Sequence, residues 1–372
     1  MSFLRLFILL YALSASSAFV VKRDGTAWNF WTQKAFGANL GNWLILERWL
    51  DPGFFGKFAP NAQDEWTFCQ QAANATELLQ QHWQDWITED DFRMLASVNA
   101  NHVRIPVGYW AFIPVIDGEP YIGTGQKAQI ERILGYCAQY NINAIIDLHA
   151  LPGSQNGQDH SGRIGPTDFF QRRNVIRSLQ TVEAVVAWMN GLPPRLKSTI
   201  SAIEVINEPH TRNVAVFNIL KDYYQQAYKI IDASAYKVPM IFSDSFRWLS
   251  DFQDLFPYNA NALIDTHYYW MEESKRDVSI ILKEVCDKKQ VVASFYLPVL
   301  VGEWSIATQI NMDEHTTRQF LDTQLSVWKQ SSGGLMWSLK NAINSKQWSF
   351  EQLVKEGYIN SKTFSDHTNA IC

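Results

Sequence analysis

What the chain lacks narrows the field first. It carries no surplus of positive charge: 32 lysines and arginines stand against 37 aspartates and glutamates, for a net charge of −5. A polyphosphate partner needs a basic face to displace its counterions, so nucleic acid is excluded as the partner. Cysteine is scarce, with Cys69, Cys137, Cys286 and Cys372 alone, and their wide spacing has no metal-ligand pattern. A Gly-rich phosphate loop is missing too, since Gly123-Thr-Gly125 lies in a loop without that fingerprint's spacing. Beyond residue 18 no apolar run approaches the ~20 residues that span a bilayer. No linker, low-complexity tract or repeat divides the chain, so a single domain is expected.

What is present is a globular composition, 47% hydrophobic and 14% aromatic, with 15 tryptophans. Most of these rings belong in a core, and a minority suits stacking against the C–H faces of sugars. Residues 1–18 read as a secretion signal: Arg5 gives the basic start, Leu6 to Leu13 the apolar run, Ser16-Ser-Ala18 the cleavage site. Lys22-Arg23 reads either as a further dibasic processing site or as two solvated basic residues, within an N-terminal segment 19–35. The mature protein is then secreted and soluble, with no membrane partner. In an oxidising compartment four cysteines suit two disulfides, with three pairings open. A bridge from Cys372 back to Cys286 would pin a tail otherwise free to fray, leaving Cys69 and Cys137. Asn74-Ala-Thr76 is a glycosylation sequon and implies a surface loop.

The stretch Ser201–His210 organises the rest. Ile203, Val205 and Ile206 form an apolar run too short for a helix, and it stops at Asn207, Glu208 and Pro209. A second run, Leu297 to Gly302, delivers Glu303 in the same way. Eight such strands are expected, over Phe36–Leu40, His102–Val107, Ala144–Leu148, Ala202–Ile206, Pro239–Ser243, Leu263–His267, Val299–Gly302 and Leu335–Leu339. Helical patterns alternate with them, over Thr88–Val98, Gln126–Tyr140, Asn174–Met189, Val216–Asp232, Ser274–Asp287 and Thr316–Gln330. Strand–helix alternation of this kind predicts an α/β fold, a (β/α)8 TIM barrel over 36–372, with a doubly wound open sheet as the alternative.

Such barrels place reactive groups at the C-terminal ends of their strands, and here those ends are polar or aromatic. They carry Glu47 after strand one, Arg104 within strand two, His149 on strand three, Asn207 and Glu208 on strand four. His267 and Tyr269 follow on strand six, Glu303 on seven and Trp337 on eight. Two carboxylates facing one acetal carbon are what glycoside hydrolysis requires, at about 5–5.5 Å for the retaining reaction. In that reading Glu208 is the acid/base and Glu303 the nucleophile. Arg104, an arginine that must find a carboxylate if buried, holds Glu303 ionised, while Glu208, with no cation adjacent in sequence, is the better proton donor. Asn207 donates to the sugar 2-hydroxyl, Tyr269 to Glu303, His149 and His267 orient the carboxylates or hydroxyls, and Trp337 lies under the sugar ring.

The motifs Gly41-Asn-Trp-Leu, His102-Val-Arg-Ile-Pro-Val-Gly-Tyr-Trp-Ala-Phe112, Asp147-Leu-His, Pro152-Gly-Ser-Gln-Asn-Gly157, Asn207-Glu-Pro, His267-Tyr-Tyr, Gly302-Glu-Trp and Trp337-Ser follow one another through most of the chain. In this order they resemble glycoside hydrolase family 5, and within it the secreted exo-β-1,3-glucanases of fungi. The resemblance implies the same two catalytic glutamates, a β-glucan substrate, no cofactor or metal, a monomer, and a place outside the cell or in its wall. It also implies that Glu47 and Asp159 hold the hydroxyls of the terminal glucose. Three features depart from the fungal pattern: Gln158 stands where an aromatic usually follows Gln-Asn-Gly, Glu272 stands near Trp270 where another is expected, and the segment after Glu303 is short. They bear on linkage preference and exo-action: endo-β-glucanase, β-1,6-glucanase or small-glucoside activity are the alternatives. A non-catalytic glucan-binding barrel is the rival outside the enzymes.

Overall fold

The computed structural model of the protein describes residues 28–116, 118–271 and 277–372. The secretion signal, Lys22-Arg23, Glu272 and the expected helix start at Ser274 lie outside the described residues. The strands are β1 (Ala35–Asn39), β2 (His102–Gly108), β3 (Asn143–Ala150) and β4 (Ile200–Glu204). They continue with β5 (Met240–Ser243), β6 (Ala262–Trp270), β7 (Val299–Thr308) and β8 (Gly333–Met336). All pairs are parallel and run in chain order, and β1 also pairs with β8, so the sheet is a closed barrel. All eight expected strands are present, with several boundaries moved: β6 and β7 run on past His267 and Gly302 to Trp270 and Thr308. β4 ends at Glu204, which puts Val205 to Glu208 in the loop above it, and β8 ends at Met336.

The strands read as apolar runs because their outward side chains, such as Val103, Ile105 and Val107 of β2, are buried under helices in the main core. The inward side chains form layers. At the N-terminal end Ile145, Ala202, Ile241, Leu263, Leu300 and Leu335, each from a different strand, make a small aliphatic layer. Phe30 and Trp28 close it from below. Immediately above it the interior turns ionic, with Arg104, Asp147, Glu204 and Asp265 all fully buried.

The six expected helices are observed as Glu89–Ser97, Gln126–Tyr140, Arg172–Gly191, Val214–Asp232, Val278–Ser294 and Glu314–Trp328. Three further helices, Pro52–Phe58, Glu65–Gln71 and Ala75–Trp86, fill the long β1–β2 connection. The first two are too short to announce themselves by periodicity and are set by their caps. Asp51 accepts from the Phe54 N–H, and Asp64 forms a capping box with Thr67. Asn74, the sequon residue, is exposed at the start of the third.

Cys286 in the helix Val278–Ser294 is bonded to Cys372, as expected, and ties down the C-terminus. The expectation of two disulfides is not met: Cys69 and Cys137 remain thiols on different helices. Each packs into the main core as a small hydrophobe. Burial pushes the Cys69 thiol far up, so it stays protonated.

Candidate active site

Arg104 is the hub of the site. Its Nε and Nη2 donate to the two oxygens of Glu204 at 2.7 and 2.9 Å, and its Nη1 donates to Glu303 Oε1 at 2.9 Å. Nη2 also reaches Asn207 Oδ1 at 2.8 Å and lies 3.1 Å from Asp147 Oδ2, while Nη1 reaches Asn39 Oδ1 at 3.0 Å. Burial alone would strip its charge, but Asp147, Glu204 and Glu303 hold the guanidinium firmly protonated. Such a buried cation is tolerated only because every N–H finds an oxygen. Asp265 completes the ring: its Oδ1 accepts from the Gly302 N–H at 2.6 Å. A Cβ on Gly302 would lie 2.2 Å from Asp265 Oδ2, so only glycine lets β7 pass close enough to this carboxylate.

Glycine also helps shape the strand ends. The β6–β7 register shifts at Thr266/His267 and the β7–β8 register at Val301/Trp304, irregularities that re-aim His267 and Glu303 into the mouth. Glu208 sits at φ +47, an uncommon backbone state for a non-glycine residue and one concentrated at functional sites. The loop after β3 is bolted to the same region: Gln155 Nε2 donates to the carbonyls of His149 and Asn207 at 2.7 and 2.9 Å, and its own carbonyl accepts from His210 N–H at 3.0 Å. Gly157 at φ +77 lets that loop turn where a Cβ would strike the Gly165 carbonyl at 2.4 Å.

The two glutamates meet across His267. Its Nδ1 lies 2.6 Å from Glu208 Oε1 and 3.4 Å from Glu303 Oε2, and its Nε2 lies 3.0 Å from Asp265 Oδ2. Oxygens of Glu208 and Glu303 fall within 4.8 Å of one another. Burial disfavours charge on His267, but Glu303, Asp265 and Glu208 outweigh it and hold the ring as an imidazolium. Burial pushes the Glu208 carboxyl up, yet its hydrogen bond to His267 and the charge on that ring carry it down to about 2. The expectation that Glu208 has no cation beside it is therefore corrected. The cation arrives from β6, far along the chain, and the proton of this pair rests on the His267 side of a short contact.

The remaining expected residues gather around this centre. Tyr269 donates to Glu303 Oε2 at 2.7 Å, and burial with the neighbouring carboxylates keeps its phenol protonated. Asn207 is fully buried; with Oδ1 taken by Arg104, its Nδ2 faces His149 Nε2 at 3.3 Å. The lone pair there puts the His149 proton on Nδ1, 2.6 Å from Asp147 Oδ2, in keeping with burial and Arg104 holding His149 neutral. A second Nδ2 hydrogen of Asn207 is the one left for a sugar hydroxyl. Trp337, whose peptide to Ser338 is cis, stacks on His149 with centroids 5.4 Å apart. Glu47 is buried, accepting from the Asn42 N–H and from Trp49 Nε1 at 3.1 and 3.0 Å. Burial, then the charges of Asp159 and Glu303, push its carboxyl well above the usual range, which leaves it a donor for a hydroxyl. Asp159 opens the short turn Asp159–Ser161 at the rim.

Sequence reasoning passed over Glu204, Asp265, Asn39 and His160. The first two had a signal: a carboxylate inside an apolar strand demands a partner, the rule that picked out Arg104. Two sets of side chains among the described residues have the spacing of metal ligands, Glu208 with His267 and Glu303, and Glu204 with Asp265 and His267. His267 already engages Glu208, Glu303 and Asp265 through its ring nitrogens, and Glu204 is taken up by Arg104.

A barrel with this carboxylate pair defines a class. Residues 61–343 match the model of the cellulase family, glycosyl hydrolase family 5; the chain belongs to that family and is an O-glycosyl hydrolase. It is 31% identical to glucan 1,3-beta-glucosidase 1 of Schizosaccharomyces pombe, over 94% of this chain and 93% of that one. It is likewise 31% identical to a probable glucan 1,3-beta-glucosidase A of Aspergillus terreus, over 93% and 92%. Among solved structures it resembles a rutinosidase from Aspergillus niger, with a TM-score of 0.82 and 26% identity over 90% of this chain and 100% of that one. An endoglucanase from Thermotoga maritima, at 13% identity and a TM-score of 0.55 over 89% and 95%, shares the fold.

Proposed function

We propose that the protein is a retaining exo-β-1,3-glucanase that releases glucose from β-1,3-glucan, with Glu303 as nucleophile and Glu208 as acid/base. The observation that carries this reading is the approach of the two carboxylates to within 4.8 Å, the retaining rather than the inverting separation. Glu303, held by Arg104 and aimed by Tyr269, attacks the anomeric carbon and forms a glycosyl ester. Glu208 draws the proton held on His267 Nδ1, 2.6 Å away, and passes a proton to the departing oxygen, which leaves as an alcohol. Glu208, now a carboxylate, takes a proton from water as that water attacks the same carbon and frees Glu303.

The substrate follows from the relatives named above and from the glycone side of the mouth. There Glu47 and Asp159 suit the hydroxyls of a chain end, and Trp337 suits stacking against the ring. The Cys286–Cys372 bridge fits an oxidising, extracellular or cell-wall setting. A time course of products from β-1,3-, β-1,6- and β-1,4-glucans tests the reading. Glucose as the first product from laminarin, with the other glucans spared, is the expected result, and early mixed oligomers would refute exo-action.

A second reading, a glucosidase for small glucosides with flat aglycones, is favoured by the loop after β5. Ser245 and Phe246 both have φ +55, the Ser245 hydroxyl is tied to the Pro209 carbonyl beside Glu208, and Phe246 packs on His210. Phe246 and Trp248 are nonetheless 56% and 77% exposed, flat surfaces on the side where the leaving group departs. A kcat/KM for aryl β-glucosides that exceeds that for laminarin, and that collapses in Phe246→Ala, would select it.

A further inference from the structure

Glu47 and Asp159 stand on loops that follow different strands, β1 and β3, and β2 lies between those strands in the barrel. The strand ladder therefore does not set their spacing, although the Asp159 charge acts directly on Glu47. Among the described residues no hydrogen bond joins residues 40–51 to residues 151–168. What touches both loops is the start of the helix Glu65–Gln71 in the β1–β2 connection. Glu65 Oε2 accepts from the Leu46 N–H, one residue before Glu47, at 2.9 Å. Asp64 Oδ2 accepts from the Ile164 N–H at 2.7 Å, and the Trp66 N–H donates to the Gly162 carbonyl at 3.0 Å. Gly162 in turn donates its N–H to the Asp159 carbonyl at 2.8 Å. Arg163 lays its guanidinium over the Trp66 ring, 4.9 Å from the centroid. Asp64 and Glu65 take no part in the chemistry, yet they are only 2% and 0% exposed.

We propose that Asp64 and Glu65 are positioning residues that fix the distance between Glu47 and Asp159, and with it the fit of the pocket to a terminal glucose. The inference rests on the reading of Glu47 and Asp159 as the groups that hold that sugar's hydroxyls. Groups carried on loops keep a productive geometry only where a further layer of bonds locks them. Glu47 already exchanges bonds with Asn42 inside its own loop: its N–H donates to Asn42 Oδ1 at 2.8 Å, and its Oε1 accepts from the Asn42 N–H. Those bonds shape the loop without relating it to Asp159. Glu65 supplies the relation. Leu46 is buried, so without Glu65 its N–H meets no water, and the loop has to shift to find another acceptor. Asp64 divides its oxygens: Oδ1 caps the helix through the Thr67 N–H at 2.8 Å, while Oδ2 holds Ile164. One short helix thus registers both loops against a common support.

The test is inhibition by glucose, the sugar that fills this pocket, of the hydrolysis of 2,4-dinitrophenyl β-glucoside. Its inhibition constant belongs to the folded enzyme alone, so a smaller folded fraction lowers the maximal rate without moving that constant. Glu65→Leu removes the acceptor for Leu46 and should raise the constant on the order of 10-fold. Glu65→Gln keeps a carbonyl for the Leu46 N–H and should restore the wild-type value. Burial pushes the Glu65 carboxyl up to about 8, so below that pH the amide also matches its charge. Asp64→Ser still caps the helix but is too short to reach Ile164, and it should raise the constant as well; if Glu65→Leu fails to fold, this variant carries the test. An unmoved constant in either folded variant overturns the proposal, as does a rise in Glu65→Gln equal to that in Glu65→Leu. Glu47→Ala checks the reading beneath: wild-type inhibition there would remove it. A raised constant in Glu47→Ala with an unmoved one in Glu65→Leu and Asp64→Ser sinks this inference alone.

Discussion

Arg104 Nη1 donates to Glu303 Oε1 at 2.9 Å while the rest of the same guanidinium is gripped by Glu204. The ion that holds the proposed nucleophile is thus also the ion that neutralises the barrel interior. Arg104→Ala strands three or more buried carboxylates, and removal of one partner of a buried pair costs about 3–5 kcal/mol. Arg104→Lys keeps the charge but loses the planar fork, so it should fold yet lose on the order of 100-fold in kcat/KM. Thermal unfolding and steady-state kinetics on both variants measure the two effects separately.

Tyr269→Phe deletes one donor to the Glu303 carboxylate and little else. A hydrogen bond to a charged group is worth about 1.5–3 kcal/mol, so kcat/KM should fall on the order of 10- to 100-fold with stability nearly unchanged. A fall of less than threefold would mean that Glu303 is aimed by Arg104 alone.

The glutamate pair makes opposite stereochemical predictions. Glu208→Ala should lose about 10²–10⁴-fold on laminarin but retain activity on dinitrophenyl β-glucoside, and azide should rescue it to give β-glucosyl azide. Glu303→Ala should be inert on both, and azide should rescue it on activated β-glucosides to give α-glucosyl azide. NMR of the products decides, and exchanged anomers would reverse the two roles.

His267 is a buried imidazolium whose folded pKa is raised. Its stabilising contribution is fully present below the ordinary histidine pKa and is lost as pH rises through the raised value. The difference in melting temperature between wild type and His267→Gln should therefore be largest in acid and shrink toward alkaline pH. A difference that grows with pH would show His267 to be neutral in the folded state.

The bridge from Cys286 to Cys372 closes a loop with a sequence separation of 86. Cys372→Ser should cost about 2–4 kcal/mol of stability and leave kcat/KM unchanged, because the bridge anchors an outer helix and the tail rather than the mouth. Denaturant unfolding with parallel assays checks both halves.

The barrel was readable because a parallel strand covered on both faces must be a short apolar run, and eight such runs leave few alternatives. Arg104 was readable for the opposite reason, as a charge where none belongs. Glu204 and Asp265 obey the same logic, but a carboxylate in a short run resembles a strand end, and their role appears only when four strands converge. The cation beside Glu208 was illegible because His267 comes from another strand, and the sequence neighbours of a glutamate say nothing of what lies across a barrel. The helices Pro52–Phe58 and Glu65–Gln71 escaped because seven residues make too few turns to show a period. Cys69 and Cys137 were paired by counting, which ignores that both face the same apolar core.

Phe30 and the aliphatic layer above it seal the barrel at the end away from Glu208 and Glu303. Traffic is therefore confined to one door. The leaving alcohol has to withdraw before water can take its place over the same carbon, and the freed glucose is last in the queue. Accumulating glucose should consequently compete with fresh substrate, so turnover slows as the reaction proceeds even while polymer remains.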